Sequence, residues 1–253
     1  MSVKLYADNL VKQATLTASS ENAQFPTSNL KDDRRSKVFQ STTTSCNIVF
    51  DFGDIREIDS VCIVESGYDP IGFTSATIEL NSVDSWISPP VSQVLTIDPV
   101  NGWINYDWAS VQNYRFARIS FVNTPNPVEV SKVFIGKRVE LDQICFSYPL
   151  NYKQNNNASV SRNRLGQKFI DEVNTQKEFS GSINTMTKDE VDQIFEVVDY
   201  ASFTRPVWVN FNGSYVLNDE NKISGYYYLN DDPTFTLQSG NYWSVGLSFT
   251  EGT

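Results

Sequence analysis

Three pairs of adjacent carboxylates, Asp32-Asp33, Asp219-Glu220 and Asp231-Asp232, are where this sequence could perform acid–base chemistry. Glycoside cleavage needs two carboxyl groups flanking one sugar bond. Neighbouring residues in an extended chain point to opposite faces, and all three pairs stand in turn-rich contexts with Asn, Lys or Pro, so they read as solvated turns. Histidine is absent from all 253 residues, which removes Ser-His-Asp and Cys-His nucleophile systems and every histidine-containing zinc site. The three cysteines, Cys46, Cys62 and Cys145, form no C-x-x-C pair and read as small buried hydrophobes. Asp32 and Asp33 could contribute to an oxygen-rich calcium site, but the twelve-residue EF-hand pattern is missing. The sequence therefore assigns no catalytic residue, no metal and no cofactor, and the chain is read as a non-enzyme.

Binding chemistry is better represented. Tyr68 beside Asp69-Pro70, Trp86 in Asp84-Ser85-Trp86, and Trp103 and Trp108 in the stretch from Asn101 to Trp108 are aromatics on expected loops. Flat rings with one apolar face and one wet edge stack on sugars, so these four are candidate glycan contacts; capping a core or meeting another subunit is the alternative. Arg162 and Arg164 are two apart and share a face if the chain is extended. They lie on an expected hairpin from Ile144 to Val173 whose tip, Tyr152 to Ala158, is polar and nearly uncharged. Such a hairpin reads either as an arm reaching a neighbouring subunit or as ordinary surface strands with solvated arginines. As an arm it would bring Arg162 and Arg164 to carboxylates of the next copy, with Asp189, Asp192 and Glu196 as the candidate partners.

The elements that must position these residues are mostly strands. One helix is expected, from about Thr187 to Ala201, started by a T-x-x-E capping box of Thr187 and Glu190. Val191, Ile194, Phe195 and Val198 recur at helical spacing and are expected to be its buried stripe, with Asp189, Asp192, Gln193, Glu196 and Asp199 outside. Strands are expected at Glu178 to Ile183, Pro206 to Phe211, Gly225 to Leu229 and Tyr242 to Phe249, giving a barrel or sandwich with one helix on its side. In the first half, Asn47 to Gly53 and Ile58 to Val64 read as strands with Gly53-Asp54 as the turn between them. The proposed core there includes Ile48, Phe50, Phe52, Val61, Ile63, Phe116, Ile119 and Phe121.

The net charge of −10 argues against a nucleic-acid-wrapping surface. No stretch approaches the roughly 20 apolar residues of a membrane-spanning helix, and the N-terminus shows no apolar signal core, so synthesis in the cytoplasm is expected. Length favours two domains, with the boundary between Gly136, where a strand ends, and Asp142.

The loop Ser19 to Leu30 with Phe25-Pro26-Thr27-Ser28-Asn29-Leu30, the strand end Ile48 to Gly53, the stretch Tyr114 to Phe121 and the strand Val130 to Gly136 together resemble the discoidin or galactose-binding-like β-sandwich over residues 1–137. That resemblance implies a jelly-roll module of the kind that binds glycans, lipids or proteins through loops at one end. A long hairpin, the strand ending Phe179 to Ile183, the capped helix, Arg205 to Phe211 and the last strand Tyr242 to Glu251 resemble the tail-tube and distal-tail proteins of tailed bacteriophages over residues 138–253. That second resemblance implies a ring, hexameric or trimeric, with hairpins completing the neighbour's sheet and DNA only as passing cargo.

The expectation is a mainly β protein with a jelly-roll sandwich at 1–137 and a barrel or sandwich with one packed helix at 138–253. Its expected role is a structural subunit of a phage tail tip, distal tail ring or baseplate, located in the virion after assembly in the host cytoplasm. Expected partners are other copies, the tail tube, hub and fibres, and a host-surface glycan, with no membrane. The alternative is a free carbohydrate-binding or adhesion module.

Overall fold

The computed structural model describes residues 2–34, 36–65, 76–96, 103–122, 126–141, 147–162, 168–201, 205–212, 225–238 and 240–252. The fold is mainly antiparallel β with one α-helix. In chain order the strands are β1 (Ser2–Asn9), β2 (Thr15–Ala18), β3 (Phe39–Gln40), β4 (Cys46–Glu65), β5 (Ala76–Asn81), β6 (Val91–Leu95), β7 (Trp103–Phe121), β8 (Glu129–Leu141), β9 (Ser147–Arg162) and β10 (Lys168–Met186). Helix α1 (Lys188–Ala201) follows, then β11 (Val207–Asn212), β12 (Gly225–Leu229), β13 (Phe235–Leu237) and β14 (Trp243–Glu251). The chain divides into two compact units, Asp8–Arg138 and Met1–Ala7 with Val139–Thr253.

In the Asp8–Arg138 unit the strands run in the order β6-β5-β7-β4-β8, with β2 on β4 and β3 on β8. Two long strands carry the architecture. The first part of β4 pairs with the last part of β7, from Cys46↔Phe121 to Asp51↔Phe116; the last part of β4 pairs with the first part of β7, from Ser60↔Asp107 to Val64↔Trp103. Register shifts separate the two stretches, so β4 and β7 each serve both layers of a sandwich, as strands that change sheets at bulges do. The expected hairpin turn at Gly53-Asp54 is therefore not a chain reversal. Both halves of β4 remain antiparallel to one partner, and Gly53, at φ +81°, makes the irregularity, its N–H donating to Asp51 Oδ1 at 2.8 Å. Ile48, Phe50, Val61, Ile63, Ile119 and Phe121, all fully or almost fully buried, form the interior. Phe116, expected among them, is only half-buried, with the Arg115 guanidinium carbon 4.8 Å from its ring centroid. Strand β8 does not stop at Gly136 either: it continues to Leu141.

The second unit has the order β1-β11-β12-β14-β10-β9, with β13 on β14. β1 pairs with β11 from Ser2↔Asn212 to Tyr6↔Trp208. The first seven residues thus belong to this unit, where the sequence reading counted them with the sandwich. No periodicity in so short a strand reveals which distant strand it will pair with. The capping box forms as expected: Thr187 N–H and Oγ1 both donate to Glu190 Oε2 at 2.7 Å, and Glu190 N–H reaches Thr187 Oγ1 at 3.4 Å. The buried stripe of α1 is Val191, Ile194, Val197 and Ala201. It packs on Leu5, Val207, Leu229, Leu247 and Phe249, leaving a cavity of only about 10 Å³. Phe195, expected in that stripe, is 43% exposed. Beneath the helix Phe179 stacks on Phe249 at 4.8 Å and meets Tyr227 edge-on at 4.9 Å. Burial pushes the Tyr227 phenol well above its ordinary pKa.

Candidate functional site

The site is built on a cross-strand pair. Glu79 of β5 stands opposite Arg118 of β7, and Arg118 Nε donates to Glu79 Oε2 at 2.6 Å. Both side chains are largely shielded, with 20% of the arginine's surface and 12% of the glutamate's exposed. The guanidinium lies over the Trp86 ring, its carbon 4.8 Å from the ring centroid, a cation–π contact that fixes the indole from one side. Trp86 comes from the connection between β5 and β6. That connection is shaped by its own side chains: Asn81 Nδ2 donates to Ser85 O at 2.5 Å, Asn81 Oδ1 accepts from Ser82 N–H at 2.8 Å, and Trp86 Nε1 donates to Asp84 Oδ1 at 2.7 Å. Trp86 is half-buried, and in the same connection Ile87 is 98% and Val83 59% exposed.

Chemically the arrangement offers groups that bind. Among the described residues Arg118 bonds Glu79 through Nε alone, so its terminal N–H groups remain as donors, while Asp84 and Glu79 supply carboxylate acceptors next to an oriented ring. Donors, acceptors and an apolar platform in one place match a polyhydroxylated ligand.

Of the three described aromatics expected to contact a glycan, Trp86, Trp103 and Trp108, Trp86 is the one found in a surface connection. Trp108 is a correction: it is a strand residue of β7, 7% exposed, packed edge-on against Tyr106 with ring centroids 5.2 Å apart. Ile104, Tyr106 and Trp108 alternate with Asn105 and Asp107, and that period of two is a strand signal legible in the sequence. Trp103 begins the same strand rather than lying on a loop. Tyr68 lies outside the described residues. The sequence gives no sign of Arg118, which lies over Trp86, or of Glu79, which bonds Arg118; only strand register brings them together.

Of the acidic pairs, Asp32-Asp33 and Asp231-Asp232 are described. Asp32 accepts from Arg34 Nε at 2.9 Å and Nη2 at 2.7 Å, which holds its carboxyl far below the usual range. Asp33 is engaged by the Lys12 ammonium, which also donates to Lys31 O at 2.8 Å. Each carboxylate of this pair thus has its own cation. Asp231 and Asp232 are exposed, and Asp219-Glu220 lies outside the described residues. Among the described residues no group of three or more Cys, Asp or Glu side chains is placed to hold a metal ion. Among them, too, no helix is long and apolar enough to cross a membrane.

The expected hairpin is present as two paired strands. β9 and β10 pair from Lys168↔Arg162 back to Ser182↔Ser147, whereas β14 joins β10 only from Glu178 onward. Arg162 is the last residue of β9, and Arg164 lies outside the described residues. Asp189, Asp192 and Glu196 are all exposed on α1, and among the described residues none of them forms an ion pair.

No protein-family model matches the chain, and no curated protein matches it. Solved structures similar to it include carbohydrate-binding modules. A fucose-binding module of Streptococcus pneumoniae is 11% identical, covering 51% of this chain and 95% of that one at a TM-score of 0.45. The lectin domain of lectinolysin complexed with Lewis B antigen is 10% identical over 51% and 96% of the two chains, also at 0.45. Chitosan-binding module 1 of a chitosanase/glucanase from Paenibacillus sp. IK-5 is 18% identical over 51% and 98%, at 0.42.

Proposed function

We propose that this chain is a non-catalytic carbohydrate-binding protein whose Asp8–Arg138 sandwich holds the ligand. The observation that carries this reading is the clamped Trp86: an indole oriented by Arg118 and Asp84, in a connection whose Val83 and Ile87 are exposed, beside Arg118 N–H groups that bond nothing among the described residues. A glycan array probed with the intact chain and with Trp86→Ala tests it. The intact chain binds a defined subset of glycans, and the variant loses about tenfold or more in affinity, the loss of one buried aromatic contact. Equal binding by the two proteins overturns the assignment of the site.

The second reading, a structural subunit of a phage tail tip or distal tail ring, is favoured by the β9–β10 ribbon. From Lys168 to Thr175 this ribbon is paired on one side only among the described residues, and two strands alone are marginal in water. A second copy covering the ribbon gives it a reason to persist. In this reading the unit holding the ribbon forms a hexameric or trimeric ring in the virion, contacts tube, hub and fibre proteins, lets DNA pass, and presents the sandwich to host-surface glycans. Mass photometry is the test: rings for the full chain and folded monomers after deletion of residues 152–163 support it. Unimpaired rings from the deletion remove the arm from the account.

A further inference from the structure

Side chains on the outer face of the sandwich continue the Trp86 site across the sheet. In β7 the buried Ala117 and Ile119 alternate with Phe116 and Arg118, which therefore face out. In β4 the buried Ile48 and Phe50 likewise turn Val49 and Asp51 outward, and in β2 the core-packed Leu16 and Ala18 do the same for Thr15 and Thr17. Register lines these residues up in two rows across the strands. One row runs Glu79, Arg118, Val49, Thr17, and the other Asn81, Phe116, Asp51, Thr15. Adjacent strands are about 4.8 Å apart and the two rows about 7 Å, so the first row covers roughly 10 Å from Arg118 to Thr17.

The second row repeats the chemistry of the first. Arg118 pairs with Glu79 and lies against the Trp86 ring. Arg115 pairs with Asp51, donating from Nε at 2.8 Å and Nη2 at 2.9 Å, and its guanidinium carbon is 4.8 Å from the Phe116 ring centroid. That pairing holds the Asp51 carboxyl below its usual range. Each cluster is a carboxylate, an arginine and an aromatic ring, and each is electrically balanced. Among the described residues Arg115 bonds nothing through Nη1, so it keeps donors to offer. Beyond the clusters the rows end on Thr17 and Thr15, both exposed. Two guanidinium groups on this path disfavour an ammonium, while Asp84 beside Trp86 and a chain net charge of −10 disfavour a carboxylate. What the path suits is an uncharged ligand rich in hydroxyl groups.

We propose that the glycan held at Trp86 is a chain of neutral sugars and that Arg115, Asp51 and Phe116 form a second subsite for it, the chain running from Trp86 over β7 and β4 towards Thr15 and Thr17. This rests on the Trp86 reading and adds to it the length and charge of the ligand. Two subsites filled by one chain bind more tightly than either alone, because the second contact is intramolecular. NMR titration of the full chain tests it, with neutral gluco-, galacto- and manno-oligosaccharides of one to six units and oligogalacturonates of the same lengths. For a neutral series that binds, affinity rises about tenfold or more from the single sugar to the tetramer and then levels off, a gain the acidic series lacks. Arg115→Gln and Thr17→Arg each remove that gain, with thermal melts showing both variants folded. Affinity that does not depend on length, or a gain that persists in full in both variants, overturns the second subsite; loss of the remaining binding in Trp86→Ala then shows that the first still stands. An equal gain for the oligogalacturonates overturns the assignment of a neutral ligand. If no sugar of any length binds, the Trp86 reading fails and this inference with it.

Discussion

Ile194 and Phe195 are neighbours in the chain and differ in environment. Ile194 is fully buried between α1 and the sheet, in a site with almost no free volume, so Ile194→Ala leaves a cavity and costs about 2–5 kcal/mol in chemical denaturation. Phe195→Ala removes a half-exposed ring and costs roughly 1 kcal/mol, the value of a stacked aromatic pair with partial burial. The order of these two losses is the check, and equal losses contradict the packing. Helical spacing alone admits both residues to a buried stripe. What turns the stripe towards Val197 and Ala201 is the sheet beneath, with Phe249 and Leu247 under the helix. Trp108 shows the same limit from the other side, because its burial depends on the opposite layer of the sandwich while its strand character was already written in the alternation of Ile104, Tyr106 and Trp108.

Among the elements, β8 shows why glycine stands at Gly136. A methyl group there would lie 2.3 Å from the Asp8 carbonyl oxygen and 3.0 Å from the Phe134 ring. The carbonyl is backbone and cannot yield as a side-chain tip would. Gly136→Ala is therefore expected to destabilise the sandwich by about 1–3 kcal/mol, the usual cost of overpacking, read as a fall in the denaturation midpoint; an unchanged midpoint contradicts the close approach. In the sequence this glycine resembled the end of a strand. The strand in fact runs on, and the absence of a side chain makes room for the Asp8 carbonyl of β1. Helix α1 was legible almost to the residue because a capping box is a local signal. The long bent strands β4 and β7 were each read in pieces, since a bulge and a turn both ask for glycine and only pairing tells them apart.

For the whole molecule, the division into units predicts how the chain can be cut. The fragment Asp8–Arg138 contains its own core and ends on Arg138, which is tied inward: its N–H donates to Asp59 Oδ1 at 2.9 Å and its guanidinium to Asp59 O at 3.2 Å and Trp108 O at 3.3 Å. It should unfold cooperatively on its own. A fragment of residues 139–253 lacks β1, leaves β11 without that partner from Trp208 to Asn212, and should aggregate or melt lower than in the intact chain. Independent folding of 139–253 at full stability contradicts the pairing of β1 with β11. The most direct measurement of the central claim, that the clamped Trp86 makes the sandwich a glycan-binding module, is saturation-transfer NMR on the intact chain with a panel of neutral oligosaccharides. Transfer is expected to the ring protons of at least one sugar, with its loss in Trp86→Ala while the fold stays intact. Transfer to none of them, or undiminished transfer in the variant, contradicts it.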